Sequence, residues 1–155
     1  MPARPTSLTL EPESQRRLAS DLFNYVWTLL ETPDRSERQS DLMVHAAHAS
    51  RFFWEEIGAP VNHARGEWQI ARVYAVLGRA GPAVHHGERC LEICREHDIG
   101  DFDLAYAYEA LARAHGVAGA RDAARRYADL ARDAGDRIAD ADDRAHFAHD
   151  LGTLP

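Results

Sequence analysis

The chain has 155 residues, of which 27 are Ala and 18 are Arg, whereas 10 are Gly, 7 are Pro and none is Lys. Ala and Arg are among the strongest helix formers, and strands prefer β-branched and aromatic side chains, so this composition argues against an all-β or doubly wound fold. The formal net charge of −7 argues against nucleic acid as a partner. The length predicts a single domain, residues 1–155.

The sequence also bears on where the protein works. No stretch approaches the roughly 18 consecutive apolar residues that a membrane-spanning helix requires, and residues 1–8 lack the apolar stretch of a secretory signal. The two cysteines, Cys90 and Cys94, lie one helical turn apart, where a disulfide would close a very small loop. These features predict a cytoplasmic protein that contacts no membrane. The absence of Lys beside 18 Arg indicates a GC-rich, bacterial-type coding bias.

The first predicted helix runs from Pro12 to Glu31, after a start, residues 1–10, that we expect to be frayed. Two apolar stripes recur in it at helical spacing: Leu18, Leu22, Val26 and Leu29, and Ala19, Phe23, Trp27 and Leu30. The helix is therefore apolar over much of its circumference and must contact more than one neighbour. One way to cover the second stripe is a homodimer formed through this helix.

Turn and capping signals define the next two helices. Ser36 and Gln39 have the spacing of a capping box, and Asp34 and Glu37 have the same spacing two residues earlier, so the second helix is predicted to begin at one of these caps and to end before Gly58. Pro60 opens the third helix, and Gly78 is expected to end it in the left-handed conformation.

Four more helices follow. Pro82 is expected to open the fourth helix, and Gly100 lies in the break before the fifth, which closes at Gly119. The sixth helix carries one apolar stripe: Tyr127, Leu130, Ala134 and Ile138. The last helix runs from Asp140 to Leu151, begins with acids that suit the positive end of the helix dipole, and is polar enough to serve as a lid.

A repeat relates the third and fourth helices to the fifth and sixth. The offset is 41 residues, 112 minus 71, and it pairs Ala71 with Ala112, Arg72 with Arg113, Gly78 with Gly119, Ala83 with Ala124, and Cys90 with Ala131. Small residues recur where two antiparallel helices cross, because only a small side chain lets the backbones approach closely.

This repeat resembles the tetratricopeptide repeat (TPR) family. Its first copy has the residue types that the family prefers at five offsets, Ala71, Tyr74, Leu77, Gly78 and Ala83, and has Cys90 where the family prefers Ala. The second copy has His115 where an aromatic residue is usual, and the offset exceeds the family's usual length of roughly 34 residues. The resemblance covers residues 60–136 and implies an all-α, TPR-like α-solenoid of three antiparallel helical hairpins plus a C-terminal capping helix.

The resemblance also implies a concave groove lined by the first helix of each hairpin. Transferred by position, the groove residues are Asn62, Arg65, Trp68, Arg72, Tyr106, Glu109 and Arg113. Arg binds carboxylates through paired hydrogen bonds, and an aromatic side chain contributes a large contact area. We therefore expect a non-catalytic module that binds a protein or peptide, with an acidic side chain or carboxylate of that partner near the groove arginines.

Two alternatives to this groove remain. Glu109 could pair with Arg72 or Arg113 as an internal salt bridge, with Trp68 in the core, and Arg113 lies four residues after Glu109, at favourable helical spacing. Alternatively, a metal or small-molecule site could form around His45 and His48, with Glu55 or His63 as a third ligand.

Catalytic motifs are missing from the sequence. It contains no Gly-rich phosphate loop with a following Lys, no Ser between glycines in a nucleophile elbow, and no paired His around a Glu. We therefore expect a protein that is not an enzyme and that binds no metal or cofactor.

Overall fold

The computed structural model describes residues 2, 3 and 10–155, so most of the start that was expected to be frayed lies outside the described residues. The described part contains seven α-helices and no strand, which confirms the all-α class. In chain order they are α1 Pro12–Leu30, α2 Glu37–Ile57, α3 Pro60–Val76, α4 Ala80–Glu96, α5 Asp101–Val117, α6 Arg121–Gly135 and α7 Ala141–Leu151. None of these helices is both long and apolar enough to cross a membrane.

Local capping determines where several helices begin. The capping box of α2 is confirmed, because Ser36 Oγ accepts from the Gln39 N–H at 3.2 Å and Gln39 Oε1 accepts from the Ser36 N–H at 2.9 Å. Asp140 caps α7 by accepting from the N–H groups of Asp142 and Asp143. The expected start of α4 at Pro82 is wrong: α4 begins two residues earlier, and Pro82 lies in its first turn, where no N–H is needed.

Two helix ends carry glycine in the left-handed region, as was expected for Gly78. Gly78 after α3 has φ +72°, and Gly119 after α5 has φ +73°. The residue after each glycine donates its N–H to a carbonyl five residues back, at 2.8 Å and 3.0 Å. The turns that lead into α4 and α6 therefore have the same construction.

The helices pack as consecutive pairs. α1 packs on α2, α3 on α4, and α5 on α6, and neighbouring pairs contact each other through α2 with α3 and α4 with α5. In addition, α1 contacts α3, α3 contacts α5, and α5 contacts α7. These four helices are therefore successive neighbours along one side of the molecule.

Most of the small residues that the repeat pairs are buried. Five of them are at most 3% exposed: Ala71, Ala83, Cys90, Ala112 and Ala131. Ala124 is only half-buried. Two side chains assigned to inward stripes are instead exposed, Leu18 at 41% and Leu130 at 37%, because no neighbouring helix covers those positions on α1 and α6.

The second apolar stripe of α1 is partly covered within the chain. Phe23 and Trp27 are half-buried, and the Trp27 ring contacts Trp68 of α3, with the ring centroids 5.4 Å apart. The homodimer through α1 stays a prediction. Leu18 and Tyr25, 41% and 43% exposed, are the apolar surface that α1 offers to it.

Candidate functional site

An open cavity of about 800 Å³ lies on the side formed by α1, α3, α5 and α7. We call it the central pocket. Its aromatic lining consists of Phe23, Trp27, Trp68, Phe102 and Tyr106. Its polar lining includes Glu31, Arg65, Arg72, Asp103, Asp143, His146 and Asp150. The volume is within the range of ligand-binding clefts, roughly 300–1,000 Å³.

The five aromatic side chains form one continuous series, which we call the aromatic row. Ring centroids are 6.4 Å apart for Phe23 and Trp27, 5.4 Å for Trp27 and Trp68, 5.2 Å for Trp68 and Tyr106, and 4.6 Å for Tyr106 and Phe102. All four contacts are tilted or edge-on, the arrangements that aromatic quadrupoles favour. The row crosses from α1 through α3 to α5, so it links all three helices.

Tyr106 connects the aromatic row to α7. Its hydroxyl donates to Asp150 Oδ2 at 2.7 Å, and its ring meets Phe147 edge-on with centroids 4.8 Å apart. Burial, and then the hydrogen bond and charge of Asp150, raise the pKa of Tyr106 well above its ordinary value. The phenol therefore stays protonated and holds one wall of the pocket in place.

Arg65 is already bound by a carboxylate of the same chain. Its Nε and Nη2 donate to the two oxygens of Asp103 at 2.7 Å and 3.1 Å. The hydrogen bond to Asp103 raises the pKa of Arg65 above its ordinary value. Half of the Arg65 side chain is exposed, but the Nε and Nη2 donors of its guanidinium group are already hydrogen-bonded to Asp103.

Arg72 and Arg113 converge on a fully buried carboxylate. Arg72 Nη1 and Arg113 Nε donate to Glu109 Oε1 at 3.3 Å and 2.8 Å, and the Glu109 side chain is 0% exposed. Burial raises the pKa of Glu109, and the two guanidinium groups oppose that rise. Arg113 also donates to the Asp150 carbonyl and to Thr153, which fastens the end of the chain. Both internal salt bridges that the sequence left open are therefore formed.

The structure brings together four of the seven residues assigned to the groove: Arg65, Trp68, Arg72 and Tyr106 line the central pocket. The other three lie elsewhere. Glu109 is buried against Arg72, and Arg113 reaches the C-terminal tail. Asn62 caps α3 by accepting from the Ala59 N–H at 2.9 Å, and it lines a smaller cavity of about 200 Å³.

Sequence reasoning missed much of the pocket. Trp27 carries a signal that could have found it, because it precedes Trp68 by 41 residues, 68 minus 27, which is the offset of the repeat. Phe102 and the α7 carboxylates Asp143 and Asp150 carry no such signal. They enter the pocket only because α5 and α7 pack as they do.

The residues of the alternative histidine site have separate partners. His48 Nε2 lies 2.9 Å from the Tyr74 hydroxyl, His63 Nε2 lies 2.9 Å from the Trp54 carbonyl, and Glu55 pairs with Arg51. His45 is exposed. Within the ranges that the structure describes, no group of three or more His, Cys, Asp or Glu side chains is placed to hold a metal ion.

His48 belongs instead to a polar network between α2, α3 and α4. Its ring lies 5.3 Å from the His86 ring, and His86 Nδ1 lies 2.6 Å from Glu67, which also accepts from Arg51. Burial, and next the charge of His86, lower the pKa of His48 below 6.5, while Glu67 opposes the shift and His45 adds to it.

The lowered pKa of His48 predicts that this residue makes the protein less stable in mild acid. The pKa of His48 is lower in the folded protein than in the unfolded chain, so protonation of His48 favours the unfolded chain. The contribution of His48 to the free energy of unfolding is therefore complete above about pH 6.5 and declines as the pH falls below that value. Urea unfolding at about pH 7.5 and about pH 5.5 should show a smaller loss for His48→Gln than for the wild type. An unchanged loss in His48→Gln, with His149→Gln as the exposed control, would contradict this assignment.

Comparison with known proteins adds no relative to this description. No family model, no curated protein and no solved structure matches the chain. The function is therefore argued from the geometry and charge of the central pocket.

Proposed function

We propose that this protein is a non-catalytic binding module that holds a segment of a partner protein in the central pocket. The aromatic row carries the proposal. Five aromatic side chains from α1, α3 and α5 line one open cavity, and four of them are only half-buried. A large aromatic surface that remains open to solvent is typical of interaction sites, where such residues contribute most of the binding energy.

We further propose that the fold is a TPR-like solenoid whose concave side contains the central pocket. The equal left-handed glycines Gly78 and Gly119 support this, as do the successive contacts of α1, α3 and α5. The repeat-related arginines Arg72 and Arg113 also bond to one carboxylate. In such an arrangement the first helix of each pair faces a shared groove, which an extended segment can follow across several helices.

Binding fits the charged groups of the pocket better than catalysis. Arg65 and Arg72 are engaged by Asp103 and Glu109, so both are held in place by partners within the chain. The phenol of Tyr106 is held protonated against Asp150. These groups shape and stabilise the walls of the pocket, and none of the contacts pairs a nucleophile with a base.

A matched pair of substitutions on α1 tests the proposal. A library of random 12-residue peptides displayed on phage is selected against the wild-type protein, and the Kd of an enriched peptide is measured by fluorescence polarisation. Trp27→Ala removes part of the aromatic row and should weaken binding about tenfold or more. Tyr25→Ala removes an exposed aromatic residue that does not line the pocket, and it should leave the Kd unchanged.

Two results would contradict the proposal. One is that no peptide is enriched above background. The other is that enriched peptides bind Trp27→Ala as tightly as the wild type, which would place their site elsewhere on the surface. Circular dichroism of both variants checks that the helical fold is retained.

A further inference from the structure

Resting on that proposed function, we infer that the bound segment places a positively charged side chain, Lys or Arg, in the central pocket, over the aromatic row. It would also lie beside the carboxylates of Glu31, Asp143 and Asp150, which we call the acidic rim. The sequence alone suggested the opposite sign, a basic groove for an acidic partner. The charges that the structure brings together favour a cation.

The arginines of the pocket are neutralised from within. Arg65 is bound by both oxygens of Asp103, and Arg72 by the buried carboxylate of Glu109. A carboxylate ligand would have to compete with Asp103 for the same two donors of Arg65. It would gain little from Arg72, whose charge is already balanced by a group that is 0% exposed.

The acidic rim is not neutralised in the same way. Across residues 10–155, no hydrogen bond or ion pair engages the side chains of Glu31 and Asp143. Asp150 accepts from the Tyr106 hydroxyl, a neutral donor, and lies 3.6 Å from the largely exposed ring of His146. The pocket lining therefore holds four carboxylates against two arginines, and its net charge is negative.

Besides the carboxylates of the acidic rim, the pocket contains aromatic faces, which also attract cations. A Lys or Arg side chain is attracted to the face of an aromatic ring within roughly 6 Å, and most strongly to Trp. Trp27 and Trp68 lie side by side with their ring planes tilted by 40°. Among the residues that the structure describes, the cation–π contacts of Arg16 with Trp54 and of Arg126 with Tyr127 lie outside the central pocket.

The volume of the central pocket and the net charge of the protein also favour a cationic segment as the occupant. The pocket is an open cleft of about 800 Å³ that spans four helices, which is room for several residues of a peptide around one charged side chain. The formal net charge of −7 favours the approach of a cationic segment. Aromatic faces and unpaired carboxylates together recognise a cation through two independent interactions.

Defined peptide pools test this inference. Four pools of acetylated and amidated heptapeptides have random residues around a fixed centre, which is Arg, Lys, Leu or Glu. We expect the Arg and Lys pools to bind the wild-type protein about tenfold or more tightly than the Leu and Glu pools in polarisation assays. Binding should weaken as salt is added, because the acidic rim is partly exposed.

A matched pair of double variants locates the cation. Glu31→Gln with Asp143→Asn removes two charges of the acidic rim and should weaken binding of the Arg pool about tenfold. Glu88→Gln with Asp122→Asn changes the net charge equally at two exposed positions outside the pocket and should leave binding unchanged. Equal weakening in both double variants would overturn the inference, since a general field effect would then explain it.

The remaining outcomes separate this inference from the function on which it rests. If the Glu or Leu pool binds more tightly than the Arg and Lys pools, the inference that the pocket holds a cationic side chain is wrong. The proposal that the protein binds peptides would still stand. Binding of acetyl-arginine amide as tightly as the Arg pool overturns the peptide segment as the occupant. If none of the four pools binds and phage selection also enriches nothing, the proposed function fails and this inference fails with it.

Discussion

A Glu109→Ala variant is expected to lose about 3–5 kcal/mol of the free energy of unfolding. The Glu109 carboxylate is fully buried and accepts from both Arg72 and Arg113, whose side chains are 18% and 11% exposed. Alanine would leave two guanidinium groups close together with no counter-charge. Natural domains have about 5–15 kcal/mol of stability, so this loss is a large fraction of the total. Urea denaturation followed by circular dichroism measures it.

An exposed ion pair provides the control for this prediction. Arg89 and Glu92 form a bridge one turn apart on α4, with both side chains about half exposed. Glu92→Ala should change stability by less than about 1 kcal/mol, since exposed pairs are screened by solvent. If the two variants lost equal amounts, the buried carboxylate would not organise the packing of α3 and α5.

A Tyr106→Ala variant is expected to lose about 3–5 kcal/mol. The Tyr106 side chain is 3% exposed and its ring contacts three aromatic neighbours, Trp68, Phe102 and Phe147. Its removal leaves a cavity at the junction of α3, α5 and α7 that these rings cannot fill without moving. Thermal unfolding measures the loss, and limited proteolysis within residues 141–151 should be faster because α7 loses its contact with the Tyr106 ring.

Tyr106→Phe separates the ring from the hydroxyl. It keeps the aromatic contacts and removes only the hydrogen bond to Asp150, so we expect a loss of about 1 kcal/mol and no change in the cleavage of α7. A Phe variant as unstable as the Ala variant would show that the hydroxyl, and not ring packing, holds α7.

Local signals predicted most helix ends because each depends on a few neighbouring residues. The Ser36 and Gln39 side chains satisfy backbone groups three residues apart, and Gly78 and Gly119 adopt a conformation that other residues avoid. Hydrophobic periodicity was less reliable. An apolar stripe does not show how far a neighbouring helix covers it: Val26 and Leu29 of the first α1 stripe are buried, whereas Leu18 of the same stripe is 41% exposed.

The candidate site was predicted only in part. The repeat placed Arg65, Trp68, Arg72 and Tyr106 on one side of α3 and α5, and these four do line the central pocket. The acids of α7 could not be placed from the sequence. Their position depends on the packing of Phe147 against Tyr106 and on the bonds from Arg113 to Thr153.

The sequence by itself determined the all-α class and the helix boundaries to within a few residues. Both depend on residues that are close together in the chain. Only the tertiary structure decided the charge of the pocket. Arg65 meets Asp103 across 38 residues, Arg72 meets Glu109 across 37, and Tyr106 meets Asp150 across 44. Side chains so far apart in the chain pair only after the helices pack, so composition and spacing could not show which charges would be neutralised.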